Sequence, residues 1–363
     1  MASKIKNQYE PDFVSPPGET LLETIETLGM SQAQLAERTG RPKKTINEII
    51  KGKAAITPET ALQFERVLGV PASFWNKREY HYREFLAREE ERERLAKQTT
   101  WLEKLPVKAM VKLGWVPAAG DLVTQLQHIL NFFGVASPQE WRGLWNGSQP
   151  AFRRSSAFES DPGAVAAWLR KGELEAQQIV CASYDEARFK GVLVEIKGLT
   201  VTTPEHFEPN LVRLCASAGV AVVFVPELPG TRVCGATRWL TPVKALIQLS
   251  LRYKTDDHLW FTFFHEAGHI LLHGKSRLFL EEENSGDGEE EEANQFAANL
   301  LIPATALRSF CTQGDRSLAA IQLFARAHGI SPGIVVGRLQ HEGFLPHSHG
   351  NKLKMRFQWA ETK

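Results

Sequence analysis

Cysteine is scarce and scattered. The four present, Cys181, Cys215, Cys234 and Cys311, form no C-x-x-C pair, which argues against a disulfide framework and a cysteine-based zinc site. Long apolar runs are missing too: no stretch approaches the roughly 18 residues that a membrane-spanning helix needs. Met1 to Phe13 is polar and lacks the apolar segment of a secretory signal. The expected location is therefore a reducing cytoplasm, with no membrane association. Net charge is nearly absent, +1 over 363 residues, and draws the whole chain toward no particular partner. No internal repeat at solenoid-like spacing is found. What remains is an ordinary globular composition, 43% hydrophobic and 23% charged. The length exceeds what single cores usually reach, so two or three domains are expected.

The balanced charge is locally segregated. Between Arg41 and Lys53 stand five basic residues and one acidic; between Glu281 and Glu292 stand eight acidic and none basic. Such asymmetry points to different surfaces for different partners. The first hundred residues punctuate as short helices. Leu21, Leu22, Ile25 and Leu28 share one helical face, with Gly29 at the C-terminal cap. Ser31 and Gln34 spell a capping box for a second helix that turns Leu35 and Ala36 inward and ends at Gly40. Pro42 suits the first turn of a third, whose Ile46, Ile49 and Ile50 supply the buried side. Thr57-Pro58 opens a fourth, with Leu62, Val67 and Leu68 apolar and Gly69 at its end. From Pro71 a longer helix runs through the charged stretch Arg83 to Arg94.

Met30–Gly40 and Lys43–Gly52 fit a helix-turn-helix unit, in which the second helix enters the DNA major groove. Lys43, Lys44, Thr45 and Asn47 are the candidates for base edges. Lys51 and Lys53 would touch phosphates, and Gln32, at a helix N-terminus, can do so through its backbone amide. A protein-binding or dimerisation module is the competing reading of the same helices; the basic bias favours DNA.

The middle of the chain offers less. Leu122 to Phe133 and Ala164 to Leu169 have helical spacing, and Trp101, Trp115, Trp141 and Trp145 read as packing residues. Beyond Gly219 the texture changes. Val220 to Val225 reads as a buried strand, Ala245 to Leu251 as another, and helical periodicity returns at Phe261–Leu272, Ala293–Leu301 and Leu318–His328.

His265-Glu266-Ala267-Gly268-His269 is an H-E-x-x-H motif. Two histidines four apart on a helix differ by about 40° around the axis, so both imidazoles can face one ion. A catalytic zinc takes three protein ligands and keeps one position open. Glu266, next to the first histidine, is placed to act as general base. The third ligand should be His, Asp or Glu. Leu272 and Lys275 stand where a metzincin needs glycine and histidine, which excludes that family. His273 lies one turn on, with angular drift against it. Glu292, opening an amphipathic stretch to Pro303, is the preferred choice, and spacing does not separate it from Glu289 and Glu291. A helix start that merely carries acidic residues is the alternative.

The stretch Phe261–His273, with Glu292-Ala293-Asn294-Gln295-Phe296-Ala297, Leu300-Leu301-Ile302-Pro303 and Gly329–Leu339, resembles the ImmA/IrrE metallopeptidases over roughly residues 210 to 345. The resemblance implies zinc held by His265, His269 and Glu292, with Glu266 as catalytic base. It further implies a narrow endopeptidase activity toward a repressor of the helix-turn-helix type. The acidic insertion between Ser276 and Glu291 is longer than that pattern. Residues 15 to 80, through Ile46–Lys53, Ile56–Leu62 and Leu68–Trp75, are similar to HigA-type antitoxins of the Xre family. That implies a homodimer on a palindromic double-stranded operator.

The expected architecture is mainly α with a small β-sheet: a five-helix helix-turn-helix domain at 1–95, a central helical segment at 96–210, and a zincin-like peptidase domain at 211–363. The expected function is a transcriptional regulator combining DNA binding with zinc-dependent endopeptidase activity. The alternative is a HigA-like regulator or antitoxin whose metal site is not catalytic.

Overall fold

The computed structural model describes residues 14–147, 161–274, 279–281 and 288–360. Two compact units form, Met1–Thr99 and Thr100–Lys363. The first is built from α1 (Pro17–Thr27), α2 (Gln32–Thr39), α3 (Lys43–Ile50), α4 (Pro58–Leu68) and α5 (Ala72–Ala96). Its local signals act as read. Ser31 and Gln34 close a reciprocal capping box, Thr57 caps α4 ahead of Pro58, and Gly40 and Gly69 take left-handed C-terminal positions. Leu21, Ile25, Leu35, Ile46, Ile49, Phe64 and Trp75 form a common core. Leu28 and Leu62 are instead exposed. Leu28 falls beyond the last helical residue, and Leu62 lies on the outer side of α4, away from the buried Ala61, Phe64 and Leu68.

The second unit holds α6 (Val107–Lys112), α7 (Leu122–Phe133), α8 (Pro138–Gly147), α9 (Pro162–Gln178), α10 (Glu186–Lys197) and α11 (Pro204–Ser217). After these come β1 (Val220–Phe224), β2 (Gly235–Thr241), β3 (Lys244–Leu249) and α12 (Asp256–Leu272). It closes with β4 (Phe279–Glu281), α13 (Gly288–Leu301), α14 (Ala304–Gln313), α15 (Leu318–His328) and α16 (Pro332–His341). Trp101, Trp141 and Phe133 meet edge to face, as packing residues should. The class is mainly α with a small sheet.

The sheet runs β1-β3-β2-β4, with β1 parallel to β3 and the other pairs antiparallel. Side chains alternate across it. Val220, Val222, Ala245, Ile247 and Leu249 face one core together with Trp260, Phe263 and Phe264 of α12. Ala221, Val223 and Leu246 face the other, together with Val165, Trp168 and Leu169 of α9. Burial on both faces is why β1 reads as an unbroken valine run. It also explains why the central helices share a unit with the C-terminal part and do not form a body of their own. Polar side chains from the sheet complete the join: Lys244 Nζ donates to the Ala176 and Ile179 carbonyls at the end of α9 (2.7 and 2.6 Å), and Gln248 Nε2 donates to Trp168 O (2.7 Å).

The helix carrying the H-E-x-x-H motif, α12, is buried almost all round, as a helix without a wet stripe must be. At its start the C-terminal segment straps across it. Thr255 bridges Arg356, and Met355 N and Asp256 Oδ1 lie 3.0 Å apart. Ser331 Oγ donates to Asp256, and Lys354 pairs with Asp257 at 2.6 Å. Burial lifts the Asp256 carboxyl to about 6, with Asp257 adding to the rise against the Ser331 hydrogen bond. A folded pKa above the unfolded value, about 4, gives stability that is complete below pH 4 and lost as pH rises through 6. Urea unfolding of metal-free Asp256→Asn should therefore gain on wild type by on the order of 1–3 kcal/mol between pH 4 and pH 8. A difference that does not change with pH contradicts this.

Candidate metal centre and nucleic-acid interface

His265 and His269 lie one turn apart on α12, both 1% exposed. Their Nε2 atoms converge to 2.9 Å. The opposing helix α13 brings Glu290, with its Oε2 3.1 Å from His265 Nε2 and its Oε1 3.5 Å from His269 Nε2. The helices can approach this closely because of Gly268. A Cβ there would meet the Phe296 ring at 3.1 Å and Ala293 Cα at 3.3 Å.

The acidic ligand reading thus needs a correction. Glu292 does not reach the histidines; its side chain is 67% exposed, and its Oε2 meets His273 Nε2 at 3.4 Å. Residues two positions apart on a helix differ by about 200° around the axis, so Glu290 and Glu292 leave α13 in different directions. Glu289 and Glu291 are not in the group either: among the described residues, His265, His269 and Glu290 form the cluster able to hold a metal. A signal for Glu290 did exist. Glu290, Ala293, Ala297 and Leu301 all turn to the buried side of α13, at the i, i+3, i+7, i+11 spacing of one helical face. Extending the alanine stripe backward by one turn lands on Glu290.

The donors fit a zinc ion. Ligand atoms at about 2.0–2.2 Å in a tetrahedron are about 3.3–3.6 Å apart; the separation of 3.5 Å lies in that range, and those of 2.9 and 3.1 Å fall a few tenths short of it. Protonation suits a cation as well. Burial pushes the His269 imidazole down from its ordinary pKa, against the pull of Glu290. Burial raises Glu290, but the facing His265 and His269 outweigh it and bring the carboxyl to about 2. Glu290 is thus an ionised carboxylate near neutrality, and the downward shift of His269 favours the neutral imidazole, the states in which both ligate.

Glu266 is fully buried on the sheet side of α12. Its carbonyl accepts from Thr237 Oγ1 at 3.1 Å. Gly235 of β2 leaves the space for its carboxylate: a Cβ there would lie 2.6 Å from Oε1 and 2.6 Å from Thr262 Cγ2. The sequence does not advertise Gly235, because β2, a mixed polar and apolar heptapeptide, gives no strand signal. Gly235→Ala should displace the Glu266 carboxylate without touching the histidines. Zinc content should stay at wild type while cleavage falls by about 10²-fold, the cost of a misplacement near 1 Å. Full activity in that variant contradicts the assignment.

In the N-terminal unit, Lys43, Lys44, Lys51 and Lys53 are exposed, whereas Gln32, Thr45 and Asn47 are half-buried. Ile46 and Ile49 fill the opposite side of α3. At about 100° per residue, Lys44, Asn47 and Lys51 share an outward stripe roughly 60° wide. Lys44 lies 3.8 Å from Glu48, both largely in solvent, a pair too weak to hold the lysine from another anion. Thr45 faces away from the stripe, toward Ile49.

Residues 21–75 match the helix-turn-helix family model, and residues 230–340 match that of the IrrE N-terminal-like domain. The chain thus carries an Xre-type helix-turn-helix domain at its N-terminus and an IrrE/ImmA-like, metallopeptidase-like domain at its C-terminus. Virulence-associated protein A of Dichelobacter nodosus is 34% identical over 59 residues, which are 16% of this chain and 58% of that protein. Two solved structures each match 23% of this chain. One is an addiction module antidote protein of the HigA family from Coxiella burnetii, 29% identical, covering 23% of this chain and 92% of its own, with a TM-score of 0.22. The other is a putative antidote protein of a plasmid maintenance system from Nostoc punctiforme, 25% identical, covering 23% and 91%, with a TM-score of 0.22. Among the described residues no helix is long and apolar enough to cross a membrane.

Proposed function

We infer that this protein is a DNA-binding regulator with zinc-dependent endopeptidase activity toward another protein. The observation that carries the reading is the convergence of His265, His269 and Glu290, with the fully buried Glu266 next to His265 in the chain. A site that only held a metal for stability would have no use for that carboxylate. When bound, zinc supplies Lewis acidity, polarising a scissile carbonyl and lowering the pKa of the attacking water toward about 7. His265, His269 and Glu290 would hold the ion. Glu266 accepts the proton of the attacking water and delivers it to the leaving amine nitrogen. The aromatic and aliphatic packing around α12 keeps this carboxylate out of bulk solvent, where its proton affinity is set by the site.

The N-terminal unit would place α3 in the major groove, with Lys44 and Asn47 toward base edges. Lys43, Lys51 and Lys53, and the Gln32 amide, would lie toward phosphates. Two copies on a palindrome match the symmetry such units use. A repressor or antitoxin-like protein is the substrate this reading favours, because a shared helix-turn-helix domain can meet its like.

The first test is the zinc content of purified protein and of His269→Ala. About one zinc per chain, lost in the variant, supports the site. Carefully prepared protein without metal would leave a DNA-binding regulator with a silent peptidase fold, the second reading.

A further inference from the structure

Glu292 has an exposed carboxylate, yet it lies at the end of a connected chain of side chains. Its Oε2 is 3.4 Å from His273 Nε2, and His273 Nδ1 is 2.9 Å from His269 Nδ1. The proton positions along this chain follow from the first member. A carboxylate only accepts, so His273 Nε2 carries a hydrogen and donates to Glu292. With its hydrogen on Nε2, His273 presents an Nδ1 lone pair, which accepts the Nδ1 hydrogen of His269. That leaves the Nε2 lone pair of His269 turned toward Glu290 and His265. The other histidine is set in the same way, since His265 Nδ1 donates to Asn294 Oδ1 at 2.9 Å. Both imidazoles are held in the tautomer and orientation that ligate through Nε2. The His273 side chain is only 4% exposed, so water competes little for its place in the chain.

We propose that Glu292 and His273 are positioning residues for the metal centre: Glu292 fixes the tautomer of His273, which fixes the tautomer and ring orientation of His269. The proposal rests on the metal reading above and adds to it a role for two residues that do not ligate. Partners of this kind fix ligand geometry and basicity, and their loss typically costs 10–100-fold in metal affinity.

The test uses the full chain, with zinc affinity measured by competition against a chromogenic chelator, cobalt(II) absorption as a probe of the ligand set, and circular dichroism for the fold. Glu292→Ala and His273→Ala should each still bind one zinc, with affinity about 10–100-fold weaker and with the cobalt bands unchanged. The double variant should be no weaker than His273→Ala, because Glu292 acts only through His273. His273→Asn, which restores an acceptor near Nδ1, should recover most of the loss and be indifferent to Glu292→Ala. Wild-type affinity in Glu292→Ala and His273→Ala overturns the proposal while leaving the metal site standing. Loss of zinc with altered cobalt bands in Glu292→Ala overturns it in favour of direct ligation. Additive losses in the double variant overturn the relay. If His273→Ala does not fold, the exposed Glu292→Ala still decides. Absence of zinc from the wild-type chain would overturn the metal reading itself, and the proposal with it.

Discussion

Glu266→Gln is expected to keep about one zinc per chain and to lose cleavage of the protein substrate by about 10²–10⁴-fold, the range that a positioned general base contributes. Glutamine keeps the shape and the burial in the cavity beside Gly235 but has no oxygen basic enough to take a proton from water. Glu290→Gln should separate from it cleanly. There the metal is lost, because a neutral amide replaces the one anionic donor against two buried imidazoles 3.1 and 3.5 Å away. Cleavage falls to background as a consequence. Elemental analysis and cleavage measured on both variants form a two-by-two test. Zinc retained in Glu290→Gln would return the third ligand to another acidic residue. Undiminished cleavage in Glu266→Gln would remove the general base from the mechanism.

Lys43→Ala/Lys51→Ala/Lys53→Ala is expected to weaken binding to mixed-sequence duplex DNA and to flatten its salt dependence. Each lysine–phosphate pairing removed should reduce the slope of log K against log salt by about 0.9, so three lysines together should take away up to about 2.7 per bound subunit. The fold should survive, since all three side chains are exposed and the core of this unit is carried by Ile46, Ile49, Phe64 and Trp75. Affinity should fall most at low salt, where counterion release contributes most. A wild-type slope in the triple variant would show that α3 does not face the phosphates, and the competing reading of a protein-binding module would take its place.

Much of this molecule follows from short-range chemistry, and that part was legible in the sequence. Capping at Ser31–Gln34 and Thr57–Pro58 joins residues only a few positions apart, and left-handed Gly40 and Gly69 answer a local steric demand. H-E-x-x-H puts two imidazoles on one face through covalent spacing alone, and the two-sided burial of β1 shows directly as valines. What tertiary structure decided lies where partners are distant in the chain. Strand β2 forms because β3 and β4 pair with it, although its own residues carry little strand preference. Gly235 matters only because Glu266, 31 positions later, needs the room. The central helices joined the second unit because the sheet has two apolar faces and α9 covers one of them. The choice of Glu290 over Glu292 is of the same kind. In a run of four consecutive glutamates every member has the right chemistry, and only the rotation of α13, fixed by Ala293 and Phe296 packing at Gly268, determines which carboxylate meets the histidines.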